Sequence, residues 1–474
     1  MAKTTSYGQL HKMPSLDTLP TEILNFILNY TSSETQYQLL STCRQSNTQV
    51  APTLYRDVTL NVREEDQKSL DSRIACFFRT IRDNQCLALY VRELSVKGHK
   101  PPSVEVGYIP TGNVKKDTTE ETHQLAREKL VYETCDTNSV IAAMLHKLEN
   151  LEALHLEYPF WSENGFLPVI YQNCLKKLKK IDLGIQFPSF PTGRYGEAWE
   201  TMQGSNSIDM NQLRSLMELP CIESIKCVAS DGEKGSDEKE EIEIEFMSPA
   251  QNLTSLRFRR SKLTPLALGK ILNATPNLRQ LEYEFWIDGK LNEEPTDYYD
   301  CEQLDNALQP VRNILERLRL SILFHGDHTV MMINRWSWRT EVRGILRSLA
   351  SFTQLTHLHI PHLLLLGRTI EEANTVKFVN ILPRSLKFLS ISTRDLPPLR
   401  RVLTFDHTYE KLLDRLYEYV DARKTHAPYL EWIQIYGLQD NVRAGTSYSK
   451  LVKLCEETGF SLKTPGDIEL GEIW

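Results

Sequence analysis

The sequence lacks any paired-cysteine pattern. Its nine cysteines (Cys43, Cys76, Cys86, Cys135, Cys174, Cys221, Cys227, Cys301 and Cys455) are odd in number, scattered and without a C-x-x-C. A disulfide framework and a cysteine zinc site are therefore not expected, and reduced thiols fit better. Long apolar runs are missing as well. The longest, Cys86 to Val91 and Val140 to Leu145, reach six residues each, against the roughly 20 that a membrane-spanning helix needs. The opening MAKTTSYGQLHKMPSL has no apolar segment of the secretory type, so an intracellular protein, cytoplasmic or nuclear, without membrane contact is expected. Nor is there a basic surplus. Lys plus Arg number 55 and Asp plus Glu 62, a net charge of −7, which argues against a dedicated nucleic-acid binder.

Catalytic motifs are absent too. The chain contains no G-x-S-x-G, no G-x-x-x-x-G-K-[ST], no H-E-x-x-H and no G-x-G-x-x-G. The acidic run from Asp231 to Glu245 lacks the D-x-D-x-D-G spacing of a calcium loop and reads as a solvated loop. His357, His359 and His362 lie close in sequence, but no Cys or Asp stands beside them at ligand spacing. With Leu358 and Ile360 pointing inward, His357 and His359 are expected as exposed strand residues, and no metal is expected. Cys227 falls on an inward strand position and is expected in the core. No cofactor and no catalytic group is assigned, so the chain is expected not to be an enzyme.

What the sequence does contain is a recurring theme. Its 474 residues, 41% hydrophobic and 25% charged, suffice for a large core without staples. Amphipathic segments alternate with short strands reading L-x-x-L-x-L. Eleven such strands start at Tyr55, Val91, Leu151, Leu178, Ile222, Leu253, Leu278, Leu315, Leu355, Leu386 and Leu430, 25 to 60 residues apart. Segments with helical spacing precede or follow them: Ser139 to Leu148, Pro265 to Asn273, Glu341 to Ala350 and Glu371 to Leu382. Thr264-Pro265 is a good helix start, with Thr as N-cap and Pro at the first helical position. A helix and a strand in alternation are the unit of an α/β solenoid. The expected fold class is therefore α/β, an irregular repeat array with parallel strands and helices on the convex side. Insertions are read at Gly98–Thr122, Gly184–Asp209, Asp231–Glu245 and Asp288–Asp300. No strand repeats Asn at the usual turn position, so the array is expected to be degenerate.

Ahead of the array lies SLDTLPTEILNFILNYTSSETQYQLLSTCRQSNTQVAPTLYRDVTL. Pro20 and Glu22 suit the first turn of a helix. Ile23 with Ile27, and Leu24 with Leu28, share faces. Ser33-x-x-Gln36 is read as a capping box opening a second helix that carries Leu39, Leu40 and Cys43. Val50, Leu54 and Tyr55 follow. About three short helices in roughly 45 residues cannot form a good core alone.

This stretch resembles an F-box, the module that docks a substrate receptor onto the Skp-family adaptor of a cullin–RING ubiquitin ligase. The resemblance rests on Leu19-Pro20, Glu22-Ile23-Leu24, Ile27-Leu28, Leu39, Leu40, Cys43 and the closing Leu54-Tyr55-Arg56. The run APTLYRDVTL is similar to fungal F-box proteins, in which the motif runs straight into the first repeat strand. The resemblance implies a disordered 1–13, an F-box at 14–60, a leucine-rich-repeat-like domain at 61–438 and a C-terminal cap or tail at 439–474. It implies an adaptor-binding surface of Leu19, Pro20, Glu22, Ile23, Ile27, Leu28, Leu39 and Leu40. It further implies a substrate-recognition role in an SCF-type ligase, with a scaffold role without ubiquitination as the alternative.

The outward-facing strand residues bear on the target. They include Arg257 and Arg259, Glu282 and Glu284, Arg317 and Arg319, then Trp432 and Tyr436. Two readings stand side by side. The charges satisfy one another across strands, or the four Arg with Trp432 and Tyr436 form a surface for a protein target.

Overall fold

The computed structural model describes residues 23, 26–28, 30–40, 50–62, 73–98, 137–157, 175–184, 207–229, 248–288, 299–325, 342–367, 370–393, 405–438 and 440–463. The chain divides into two compact units. The first is Met1–Leu156 with Asn164–Leu178, and the second is Glu157–Glu163 with Lys179–Trp474.

The fold is mixed α/β. In the first unit β1 (Asp57–Val62), β2 (Glu93–Gly98) and β3 (Ala153–Glu157) pair in parallel. The second unit contains β4 (Lys180–Gly184), β5 (Ser224–Cys227), β6 (Ser255–Ser261), β7 (Gln280–Asp288), β8 (Tyr299–Asp300), β9 (Arg317–His325), β10 (Val342–Arg343), β11 (His357–Pro361), β12 (Phe388–Ser392), β13 (Trp432–Tyr436) and β14 (Ser461–Lys463). Of these, β8 and β10 form a separate pair. The other nine run in one parallel sheet in chain order.

Each expected strand start lies two residues ahead of a strand, and one backbone device repeats there. The amides of the second and third residues of L-x-x-L both donate to the carbonyl of the second residue in the preceding strand. Arg92 and Glu93 thus share the Arg56 oxygen, and Glu152 and Ala153 that of Arg92. In the second unit the acceptors run Lys179, Glu223, Thr254, Arg279, Glu316, Thr356 and Lys387. Register is locked at each of these steps, so the first, fourth and sixth positions stack inward. Leu253, Leu256 and Phe258 are buried, as are Leu278, Leu281 and Tyr283, then Leu315, Leu318 and Leu320. Each such side chain contributes about 1.5–3 kcal/mol by leaving water. Tyr283 keeps its hydroxyl satisfied by donating to the Leu263 carbonyl at 2.6 Å.

Asparagine does recur, one residue ahead of the first Leu rather than at the turn position first considered. The Asn150, Asn252 and Asn277 amides donate to the carbonyls of Leu89, Pro220 and Gln251 at 2.7–2.8 Å. Each acceptor lies two residues before the preceding strand's own start, so the side chains form rungs between successive turns.

The helix Pro265–Asn273 starts where expected, with Thr264 Oγ1 accepting from the Ala267 amide at 3.2 Å. Helical spacing at 341–350 misleads. That segment forms β10 and a 3-10 turn at Ser348–Ser351 instead. Gly344 at φ 75° breaks the helix. The Asp305 carboxylate accepts from the Arg347 amide at 2.8 Å and from Ser348 Oγ at 2.7 Å, which fixes the turn. The spacing at 371–382 gives two short helices, Ile370–Thr375 and Phe378–Ile381. The region 439–474 contributes a helix, Thr446–Thr458, and β14, parallel to β13. The four insertions fall for the most part outside the described residues.

Candidate functional site

The N-terminal helices carry the first candidate surface. Residues 23 and 26–28 are helical. Ile23, Phe26 and Tyr30 stand three and four residues apart and are 49%, 63% and 79% exposed. This spacing puts them on one side, and the Phe26 and Tyr30 rings lie 4.9 Å apart. Ile27 is half-buried. Leu28, expected on the adaptor surface, is fully buried in the isolated chain.

The second helix is Ser33–Leu40, and its cap is Ser32, one residue before the expected Ser33. Ser32 Oγ accepts from the Thr35 amide at 3.2 Å. Gln36 does not close a capping box. Its side chain donates to the Leu28 carbonyl at 2.7 Å and joins the two helices. Leu39 and Leu40 are helical, but their side chains, and all of Leu19, Pro20 and Glu22, lie outside the described residues. Sequence reasoning passed over Phe26 and Tyr30, although their spacing from Ile23 was the available signal.

The second candidate surface is the outward face of the sheet in the second unit. Its fifth-position residues form one cross-strand row: Asp182, Lys226, Arg257, Glu282, Arg319, His359, Ser390, Gln434 and Lys463. A parallel third-position row runs Gln280, Arg317, His357, Phe388 and Trp432. The structure thus brings Arg257, Arg319 and Glu282 together, and it places Arg317 in line with Trp432.

The charged half is paired. Lys226 bonds Asp182. Arg259 Nε and Arg319 Nη1 each lie 3.6 Å from Glu282 Oε1. Where β6 bulges, Arg260 adopts φ 46°, uncommon for a side-chain-bearing residue, and its amide donates to the Glu284 carboxylate at 3.0 Å. Burial nonetheless raises the Glu284 pKa, and burial lowers that of the neighbouring Arg260 to about 10.

From His359 to Gln434 the row is uncharged and closed, and Lys463 ends it with a half-buried charge. His359, expected as exposed, is only 4% exposed. Its Nδ1 is 2.8 Å from Ser390 Oγ, and its ring is 6.0 Å from that of Tyr436. His357 is half-buried against Phe388, with ring centroids at 4.4 Å. Cross-strand neighbours thus close over positions that the strand alternation alone leaves facing solvent. Burial lowers the pKa of His357 to about 4 and of His359 to about 3, helped by Arg317 and Arg319 respectively. His362 opens a short helix, His362–Leu366, where it is buried with Nδ1 3.2 Å from the Ser392 carbonyl. Trp432 extends the aromatic row, with its ring 5.0 Å from Phe388.

Cys227 is buried, and burial pushes its thiol pKa far up, so it remains a core thiol. Among the described residues no three His, Cys, Asp or Glu are grouped to hold a metal ion. None of the described helices is long and apolar enough to cross a membrane.

No family model matches the chain. No curated protein sequence matches it either. Among solved structures, the crystal structure of the Rad7 and Elc1 complex in yeast is similar to it at 12% identity, covering 93% of this chain and 90% of that one, with a TM-score of 0.28. A score that low is too loose to establish a shared fold.

Proposed function

We propose that this chain is the substrate-recognition subunit of an SCF-type ubiquitin ligase. Its N-terminal helices dock a Skp-family adaptor, which links it to a cullin–RING ligase. The outward face of its repeat sheet holds a protein target. The observation that carries this reading is the exposure of Ile23, Phe26 and Tyr30, in and just after the sequence L-P-x-E-I-L. Large apolar side chains left in water on one side favour a protein contact. The chain itself supplies no reacting group and no cofactor. Its contribution is to raise the target's effective concentration at the ubiquitin-charged enzyme.

The test is affinity purification of the full chain from its native cell, with adaptor, cullin and target read together. The reading expects all three with the wild type and loss of adaptor and cullin with Ile23→Ala/Phe26→Ala. Adaptor without cullin would leave the scaffold role, and neither would end the proposal.

A further inference from the structure

Gln434 sits at the fifth position of β13 with no exposed surface, and neither its amide oxygen nor its amide nitrogen has a hydrogen-bond partner. Buried polar atoms are otherwise paired in folded proteins, so one carrying both an unused donor and an unused acceptor calls for an explanation. Its surroundings are specific. Trp432 and Tyr436 stand two residues to either side on the same face. Ser390, its register partner on β12, is already bonded to His359. The aromatic row of His357, Phe388 and Trp432 runs alongside with its side chains half-exposed. Both imidazoles are held neutral at ordinary pH by burial, so the cationic groups that flank this end in the two rows are Lys463, the register partner of Gln434 on β14, and Arg317 and Arg319 on β9.

We propose that the β11–β13 end of this face is a recognition notch for an extended acidic peptide of a partner protein, in which the Gln434 amide pairs with a backbone peptide group. A peptide unit offers one N–H and one C=O, the complement of a side-chain amide. Phe388 and Trp432 take an adjacent apolar side chain, and Arg317 and Lys463, on either side of the notch, meet carboxylates, to which the guanidinium fork of Arg317 is matched. Entry needs the Trp432 or Tyr436 ring to turn aside, a change of the kind common when interfaces form. The inference rests on the repeat sheet being the target-binding face and is independent of adaptor docking.

The test pans a display library of random short peptides against the full chain, with no adaptor present. Enriched peptides are expected to pair an acidic residue with an aromatic or large aliphatic one. A synthetic peptide of that consensus should bind Gln434→Met at least about tenfold more weakly, with the variant's melting temperature equal or higher. Arg317→Glu should shift the enriched peptides from acidic to basic, which keeps the test decisive if Gln434→Met does not fold. No enrichment, a consensus without acidic residues, or equal binding by Gln434→Met would overturn the notch and assign the Gln434 amide to buried water. Failure of adaptor co-purification would leave this result untouched.

Discussion

From β4 to β9 the fifth position of every strand carries a charge: Asp182, Lys226, Arg257, Glu282 and Arg319. From β11 to β13 it carries His359, Ser390 and Gln434. The backbone device that stacks the strands is the same in both halves, so, apart from the bulge in β6, the difference lies in the side chains. Charges reach across about 4.8 Å of sheet and neutralise each other while remaining partly in water. The uncharged residues are instead shut away under aromatic neighbours, where an unused hydrogen bond is costly. The first half explains itself as structure. The second half contains the Gln434 amide, which the fold alone does not satisfy on either its donor or its acceptor side, and recognition is better sought there, with Arg317 and Lys463 at its edges, than around Arg257 and Arg259.

The two halves should also answer pH with opposite sign. His359 and His362 titrate near 6.5 when unfolded, but at about 3 and 4 when folded. The unfolded chain therefore gains protons first, and their contribution to stability is lost as pH falls below 6.5 toward the folded values. Between pH 6.5 and 5 the pair should cost about 3 kcal/mol. Chemical denaturation at both pH values should show that drop, and His359→Gln/His362→Gln should flatten it. Glu284 acts the other way. Its folded pKa is raised by burial, so its contribution is present below about 4.5 and is lost as pH rises through the folded value. Glu284→Gln should remove that opposing slope, and an unchanged profile would break the contrast.

A smaller effect probes the charged half by itself. Glu282→Ala takes the shared carboxylate from Arg259 and Arg319. Removing one partner of a buried pair is costly, but both guanidiniums keep some solvent, so a loss of about 2 kcal/mol is expected in urea unfolding. A loss under about 0.5 kcal/mol would mean that the charges are solvated separately. The smallest effect concerns the rungs. Asn277→Ala should cost about 1 kcal/mol by removing the bond to the Gln251 carbonyl. Ser385, at the equivalent place before β12, bonds instead to the Leu355 carbonyl at 2.8 Å, so Ser385→Ala should be comparable.

The strand starts were legible because Leu or Ile recurs at inward positions whatever the insertion length. The rungs are hard to read in the sequence because Asn precedes the first Leu at only three of the eleven strand starts, Leu151, Leu253 and Leu278. The helix expected at 341–350 failed on Gly344, whose positive φ outweighs the apolar spacing around it. Strand β14 was missed because Gly459 stands where the other strands start with an apolar residue. Burial of His359 and Gln434 could not be read locally at all. It depends on Ser390, Phe388 and Tyr436, whose cross-strand placement only the register sets. At the N-terminus the motif is legible as a string, and the spacing of Phe26 and Tyr30 from Ile23 hints at a shared side, but only the structure shows that this side is left uncovered.

The most direct test of the receptor reading is calorimetric titration of a purified Skp-family adaptor into the full chain. A saturable one-to-one complex is predicted, weakened more than about tenfold by Ile23→Ala/Phe26→Ala with thermal unfolding unchanged. No complex with the wild type, or equal affinity in the variant, would contradict it.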